Sequence, residues 1–409
     1  MPSTAPVASR VHDVLIVGGG LVGASLAIAL DALGVDVGMV EATAPGALPA
    51  VFDERNLSFA EATVNALTAL GVMPLMRAPT GAIRRIHVSR AGDFGRVRLD
   101  ARDHGRSEFG RVVTARDFGE ALENRLSGLS NLTRHRPARF AGLGQGDEAL
   151  RTIRIADANG ERTLGARLLV AADGTRSAMR VALGIGMKQH DYAQTLFVAR
   201  LRAQRAPDGV AYERLTAHGP TALLPRGDGH FGLVHAVARG QADAVSALDE
   251  VAFLDRVQSV FGWRVGRLLG CGPRTAYPAI GCVAEALVAP RAVLVGNAAQ
   301  TLHPIGAQGF NLGLRDALTL AECIAGADDP GDPELLAEYE RRRSQDRART
   351  LVFADGLARL SASDAPLSSV LRSTGLVAGD AMGWLQGWLV GGAMGYRGDV
   401  PALCRAVPA

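Results

Sequence analysis

Gly18, Gly20 and Gly23 stand as G-x-G-x-x-G directly after the apolar run DVLIV (13–17) and at the head of LVGASLAIALDALG, whose Leu21, Ala24, Leu26, Ala27, Ile28 and Leu30 make a mostly apolar helix ending near Gly34. The first glycine permits a tight turn, the second lets a pyrophosphate reach the backbone, and the third lets helix and strand pack closely. The helix start, with Leu21 and Val22 in its first turn, offers free N–H groups and a partial positive charge to phosphates. Glu41 closes a second apolar run, VDVGMVE (35–41). A carboxylate there accepts hydrogen bonds from an adenosine ribose and favours FAD or NAD over NADP, whose 2′-phosphate it would repel. The segment GLGQG (142–146) has similar glycines, but no apolar helix follows, and it reads as a loop.

Two later segments repeat the pattern of strand followed by a glycine turn. LLVAADGTRSAMR (168–180) sets Asp173, Gly174 and Arg176 just after a buried strand, and GNAAQTLHPIGAQGFNLGLRDA (296–317) runs from AVLVG (292–296) into a helix from about 308. Between them the chain is rich in strands. The patterning predicts a helix over 61–77, a hairpin over 83–100 turning at Ala91–Gly92–Asp93, and a helix over 114–128 capped by Thr114. It also predicts a three-strand meander over 138–171, helical pieces near 247–261 and a charged helix over 334–359. Strand-glycine-helix units at both ends of a β-rich middle indicate an α/β (α+β composite) fold with a nucleotide-binding unit built from discontinuous segments.

Composition narrows the function further. The 44 basic and 41 acidic side chains leave a net charge of +3, which argues against a general nucleic-acid binder. Cys271, Cys282, Cys323 and Cys404 form no C-x-x-C pair, so reduced, mostly buried thiols are expected and no metal site is. No apolar run reaches the ~18 residues of a membrane span, and MPSTAPVASR has no apolar core of a signal peptide. Lys188 is the single lysine, and the arginine excess accords with a nucleotide bias that would also enrich Ala and Gly.

The order of the three motifs resembles the flavoprotein aromatic hydroxylases with the p-hydroxybenzoate-hydroxylase-like fold, over nearly the whole chain. Within them the sequence is similar to the ubiquinone-biosynthesis hydroxylases of the 2-polyprenyl-6-methoxyphenol hydroxylase type. The segments that carry this are FDERNLSFAEAT (52–63), IHVSRAGDFG (86–95), AYERLTAHGP (211–220), FGWRVG (261–266), RTAYP (274–278) and GNAAQTLHP (296–304). The resemblance implies a Rossmann-like FAD-binding domain (1–82, 101–186 and 285–333), a β-sheet substrate domain (83–100 and 187–284) and a C-terminal helical segment (334–409). It implies that Arg55 and Arg116 lie near FAD, that Asp173 and Gly174 support it, and that Gly296 and Asn297 meet the ribityl chain, Asn297 replacing the usual aspartate. Pro304 to Leu312 would line the isoalloxazine ring, with backbone N–H groups of Gly309, Phe310, Asn311 and Leu312 near its pyrimidine edge. The family commonly reads H-P-x-A-G-Q-G, whereas Gly306–Ala307 is inverted here. A left-handed backbone at Ala307 would cost about 1 kcal/mol. An aromatic is expected where His235 stands.

The implied reaction is NAD(P)H- and O₂-dependent hydroxylation of an electron-rich polyprenyl phenol. With no second glycine fingerprint after a strand, NAD(P)H would visit the FAD site transiently. A base would help by forming the phenolate. His303 is the candidate beside the expected flavin, against the reading of a structural loop histidine; His230 and His235 lie on expected strands. Hydroxylation of another aromatic substrate and an inactive flavin-binding subunit of a quinone-biosynthesis complex remain as alternatives. A flavin halogenase fits poorly, since Lys188 falls at a domain junction and no W-x-W-x-I-P segment exists. In the tail, Gly375, Gly379, Gly383, Gly387, Gly391 and Gly395 recur every fourth residue, with Trp384 and Trp388 among them. Six glycines in one helix would cost up to about 6 kcal/mol relative to alanine. Two readings offset that cost: close packing of a small-residue stripe on the flavin domain, or contact of 375–396 with a membrane surface or a partner protein. The expected location is cytoplasmic, with a peripheral membrane contact on the cytoplasmic face.

Overall fold

The computed structural model describes residues 10–362 and 366–405; the first nine residues, read above for a leader, lie outside them. The chain opens with β1 (Val11–Val17), α1 (Leu21–Asp31) and β2 (Val37–Val40). There follow β3 (Asn56–Ala60), α2 (Glu61–Ala69), β4 (Gly81–Ile83), β5 (Arg85–Arg90), β6 (Arg96–Asp100), β7 (Gly110–Thr114), α3 (Ala115–Ser127) and β8 (Leu132–His135). The meander β9 (Arg139–Leu143), β10 (Arg151–Asp157) and β11 (Gly160–Ala171) leads through α4 (Ala178–Ala182) into β12 (Met187–Ala203), β13 (Val210–Thr216), β14 (Gly219–Pro225) and β15 (Phe231–Ala238). Next come α5 (Ala242–Ser246), α6 (Glu250–Phe261), β16 (Leu268–Cys271), β17 (Thr275–Ala284), β18 (Val288–Ala289), β19 (Ala292–Leu294) and β20 (Gln300–Thr301). Four helices finish the described chain: α7 (Gly309–Ile324), α8 (Pro333–Ala362), α9 (Pro366–Ala381) and α10 (Gly383–Ala393).

One sheet runs β18-β19-β11-β1-β2-β8, with β10 and β9 continuing from β11. Its centre is parallel, Val14 standing opposite Leu168 on one side and Val37 on the other. Parallel strands covered on both faces read as unbroken apolar runs, which is why DVLIV and RLLVA lack alternation. The second sheet runs β20-β17-β12-β15-β14-β13-β5-β6 and is mainly antiparallel, with β13 parallel to β5. Here alternation decides the layers. Phe197, Leu223 and Leu233 pack with Phe253, Val257 and Phe261 of α6, while Leu196, Ala222 and Val234 face the opposite side. A small sheet, β3-β7-β4, lies beside them.

Several expectations need correction. The helix from Glu61 stops at Ala69 because Gly71 takes a left-handed φ of 74°, and a 3₁₀ turn at Met73–Leu75 replaces its last turn. Thr114 holds the N-cap position of α3, but its side chain makes no capping bond. The glycine-periodic tail is two helices, broken at Met382 where φ is −99° and ψ 106°. Nor is its stripe a helix seam: a Cβ on Gly375, Gly383, Gly387 or Gly391 would meet no atom within 4 Å. Only Gly379, against Val97, and Gly395, against Ala62, abut another element. The tail docks instead through Leu376, Leu389, Val390 and Met394, packed on Ile83, Val97 and Leu99, and through polar contacts, the Arg98 backbone N–H donating to Asp380 at 2.8 Å and Arg372 to Asp93 at 2.8 Å. The four cysteines are free.

Candidate functional site

A cavity of about 1350 Å³ runs from the carboxyl ends of β1 and β11 across the inner face of the second sheet to α9 and α10. Open α/β sheets bind ligands at those strand ends. Gly18, Gly20, Leu21, Val22 and Glu41 line one end, and Leu376, Leu385 and Leu389 the other.

At the first end the backbone leaves no slack. A Cβ on Gly18, whose φ is 108°, would lie 2.5 Å from the Ala172 carbonyl oxygen, and one on Gly23 would lie 2.0 Å from that of Gly18. Gly20 is different: the nearest atom to its Cβ would be Val51 Cγ1 at 3.7 Å, so the space it leaves is open to a ligand. Gly20 is also the N-cap of α1 and supplies no side-chain cap, leaving the first N–H groups of the helix for a partner. Glu41 accepts from Gly19 N–H at 2.8 Å and from Thr43 N–H at 2.7 Å, which fixes its carboxylate at the cavity wall.

Arg55 enters the wall as part of a small assembly. It grips Asp53 through two hydrogen bonds, at 2.8 and 2.7 Å, and lies 4.6 Å over the ring of Tyr277, whose hydroxyl donates to Asp53 at 2.6 Å. Against the cost of burial, these donors hold the Asp53 carboxyl below its ordinary value. Arg116 lies elsewhere. It lies in the first turn of α3 on the outer side of this loop, more than half exposed, and pairs with Glu54 at 2.6 Å; expected near the cofactor, it does not line this cavity.

Asp173, Gly174 and Asn297 all line the cavity. Asp173 Oδ2 accepts from Met179 N–H at 3.1 Å, but its Oδ1 is buried with no partner. A buried acceptor left unmade costs about 1–3 kcal/mol, so this oxygen calls for a hydrogen-bond donor from the cavity. Gly296 and Gly23 sit behind the wall. Gly296 has a φ of 59°, and a Cβ there would meet Val22 Cγ2 at 2.8 Å, so its part is to let α1 and α7 approach.

Loop 303–308 and the start of α7 form the wall opposite. Gly306 and Ala307 both take left-handed backbone, with φ of 71° and 50°, so the inverted pair does place a Cβ where one is disfavoured. The turn persists because Ala307 N–H donates to Pro304 O at 2.9 Å and Asn311 Nδ2 donates to Ala307 O at 2.9 Å. Asn311 also accepts from Ala60 N–H and Thr63 Oγ1, so its side chain builds the wall. Leu312 N–H is already given to Gln308 O at 2.9 Å, which removes it from the expected set of free donors. Gly309, Phe310 and Asn311 remain at a helix start without a side-chain cap, facing the cavity with Pro304.

His303 stands behind this loop. Its Nε2 donates to Gln194 at 3.0 Å and its Nδ1 accepts from Ile305 N–H at 3.2 Å; burial pushes its pKa down to about 4. The neutral ring pins the loop to β12. His235 faces away too, bonded to Thr221 at 2.8 Å and edge-on to Phe253 in the α6 layer, so it does not shape the cavity.

Two features escape a reading of the sequence. Arg343 of α8, fully buried, bridges Asp316 of α7 and Asp346, both at 2.8 Å, and Asp316 accepts from Gly296 N–H, tying the third glycine turn to the helices behind it. The other is Glu213 on β13, in the cavity wall beside Gly306. A signal was present: Glu213 shares its strand phase with Ala211 and Leu215, the apolar face.

These residues fit an extended dinucleotide with a flat, polar-edged ring. Two uncapped helix starts, an orphaned carboxylate oxygen and a wall of small residues converge on one space. Residues 11–354 match the family described as FAD binding domain. A ubiquinone hydroxylase of Rhodospirillum rubrum is 34% identical, the alignment spanning 99% of this chain and 96% of that one. The 3-demethoxyubiquinol 3-hydroxylase of Escherichia coli is 27% identical over 91% of this chain and 96% of its own. The solved structure of p-nitrophenol 4-monooxygenase from Pseudomonas putida superposes with a TM-score of 0.78 at 18% identity, over 95% of this chain and 99% of that one, and shows the shared fold. The chain belongs to the FAD-binding-domain family, as an FAD-dependent monooxygenase that takes electrons from NAD(P)H and oxygen from O₂.

Proposed function

We propose that the protein hydroxylates the ring of a polyprenylated phenol in the route to ubiquinone. The observation that carries this is the length and gradient of the cavity. At about 1350 Å³ it takes in the nucleotide end, and beyond that end its walls become apolar, from Ile86, Val97 and Leu99 to Leu376 and Leu389. A ring placed beside Gly306 would leave its isoprenoid chain against those walls.

FAD, when bound, accepts hydride and activates O₂. The remaining work falls to the chain. The α1 start and the Gly18–Gly20 turn would hold the pyrophosphate, Glu41 the ribose, and Asp173 Oδ1 with Asn297 the ribityl hydroxyls. The α7 start would stabilise negative charge on the ring system. The apolar sheet face keeps water from the reacting centre.

At the cavity's far end Trp384 is 73% and Trp388 51% exposed, with Met382 beside them. We infer that this surface meets the lipid in which such a substrate resides, peripherally, on the cytoplasmic face. No helix among the described residues is long and apolar enough to cross a membrane. The decisive experiment is purification with a visible flavin spectrum, then NAD(P)H oxidation with and without a short-chain polyprenyl phenol, the product being one oxygen heavier. Absence of flavin, or oxidation that the phenol does not stimulate, overturns the reading. Flotation with neutral liposomes, lost on replacing both exposed tryptophans with serine, tests the surface.

A further inference from the structure

Glu213 is the one carboxylate that the second sheet gives to the cavity among the described residues. On β13 its neighbours in the same phase are Ala211 and Leu215; across the sheet it pairs with Ala222 of β14 and Val88 of β5. A charged side chain on an otherwise apolar face is costly unless it is paired or hydrogen-bonded. It accepts a hydrogen bond from the Gly306 backbone N–H, in the turn that begins at Pro304. The carboxylate therefore stands where the nucleotide half of the cavity meets the apolar half, beside the position argued for the substrate ring.

We propose that Glu213 is the catalytic base that takes the hydroxyl proton of the phenol. This rests on the monooxygenase reading above. The phenol O–H bond breaks, the proton passes to a carboxylate oxygen of Glu213, and the bonding pair stays on the phenolic oxygen. The phenolate then donates that pair into the ring, raising electron density at the carbon that receives the oxygen atom delivered from O₂. The other atom of O₂ leaves as water, the two electrons coming from NAD(P)H. The proton lost from that carbon goes to the ring oxygen, which restores aromaticity, and Glu213 passes its proton to the departing water before the next turnover.

The surroundings suit the task. Burial, opposed only by the Gly306 N–H, pushes the Glu213 pKa up to about 7, the range where a base is both deprotonated and effective near neutral pH. No charge on neighbouring elements intervenes in that balance. On α7 and α8, Arg315 and Asp346 are paired at 2.7 Å. Asp355 of α8 binds Arg359 and Tyr192. The other charges on the cavity wall nearest the tail are Arg349 and Arg397, the latter stacked 3.6 Å over Trp388. His303, the alternative base, has both nitrogens engaged behind the wall.

The test compares E213Q, E213D and the wild type as flavin-loaded full chains. Glutamine keeps an acceptor for the Gly306 N–H and removes only the charge. Expected is unchanged flavin absorbance, product formation lowered by about 100-fold, and loss of the acid limb that the wild-type kcat shows as pH falls through 7; E213D recovers part of the rate. Binding of a short-chain prenyl phenol to the oxidised enzyme, followed by flavin absorbance without NAD(P)H, should weaken below pH 7 in the wild type and be flat in E213Q. Wild-type rate and acid limb in E213Q overturn the proposal and leave Glu213 a support for the 304–308 turn. Failure of the wild type itself to oxidise NAD(P)H with any phenol overturns the monooxygenase reading instead.

Discussion

A methyl group added to Gly23 would sit 2.0 Å from the Gly18 carbonyl oxygen, whereas one added to Gly375, at the opposite end of the same cavity, would meet no atom within 4 Å. At the nucleotide end the missing side chains let backbone touch backbone, so that turns and helix starts do the recognising. At the α9–α10 end the missing side chains leave volume. Glycine thus marks close approach in one region and open space in the other, and the two kinds of site should respond differently to the same substitution.

Gly23→Ala should have the larger effect. The forced separation of β1 and α1 costs about 3 kcal/mol or more, read as roughly a 100-fold loss of FAD affinity on dialysis; Gly375→Ala should keep flavin as the wild type does. Equal retention in both would dissolve the contrast. Second is the pin behind the flavin wall. His303 is neutral with its pKa near 4 against 6.5 in the unfolded chain, so the unfolded state binds the extra proton between those values. Stability from this group is complete above pH 6.5 and declines as pH falls toward 4, by up to about 3 kcal/mol. His303→Gln should flatten that part of the urea-unfolding profile; an unchanged slope would remove His303 as the cause. The smallest effect is expected from Gly375→Phe, at a cavity-lining position where an added Cβ meets no atom within 4 Å. Turnover of a long-chain polyprenyl phenol should fall about tenfold, the worth of one or two lost methylene contacts, while a short-chain analogue and flavin content stay unchanged. An equal effect on both substrates would mean that the glycine end is not the tail's path.

Legibility along the sequence follows the same division. The units β1-α1-β2, the β5–β6 hairpin, the β9-β10-β11 meander and the strand-to-helix passage into α7 are local, and each is announced by apolar period and glycine placement. Most of the residues read from the three motifs do line one cavity, because motifs at strand ends are gathered by the parallel pairing of β1, β11 and β19. The failures are of another kind. Arg116 looks equivalent to Arg55 in sequence, yet Arg55 joins Asp53 and Tyr277 in the cavity wall while Arg116 pairs with Glu54 at the surface. The tail's fourfold glycine period suggested one helix packed along a stripe, but which face meets protein depends on where β6 ends.

The sequence by itself determined that a dinucleotide would be bound, through three glycine turns, and that an α/β core would carry them, since turn geometry and apolar period act over a few residues. Which ionisable groups face the chemistry was decided only by the tertiary structure. His303, next to a cavity-lining turn, is withdrawn by Gln194, and Glu213, some ninety residues away, is brought beside that turn by the packing of β13. Burial and hydrogen-bond partners set the charge of such groups, and both are properties of the assembled fold.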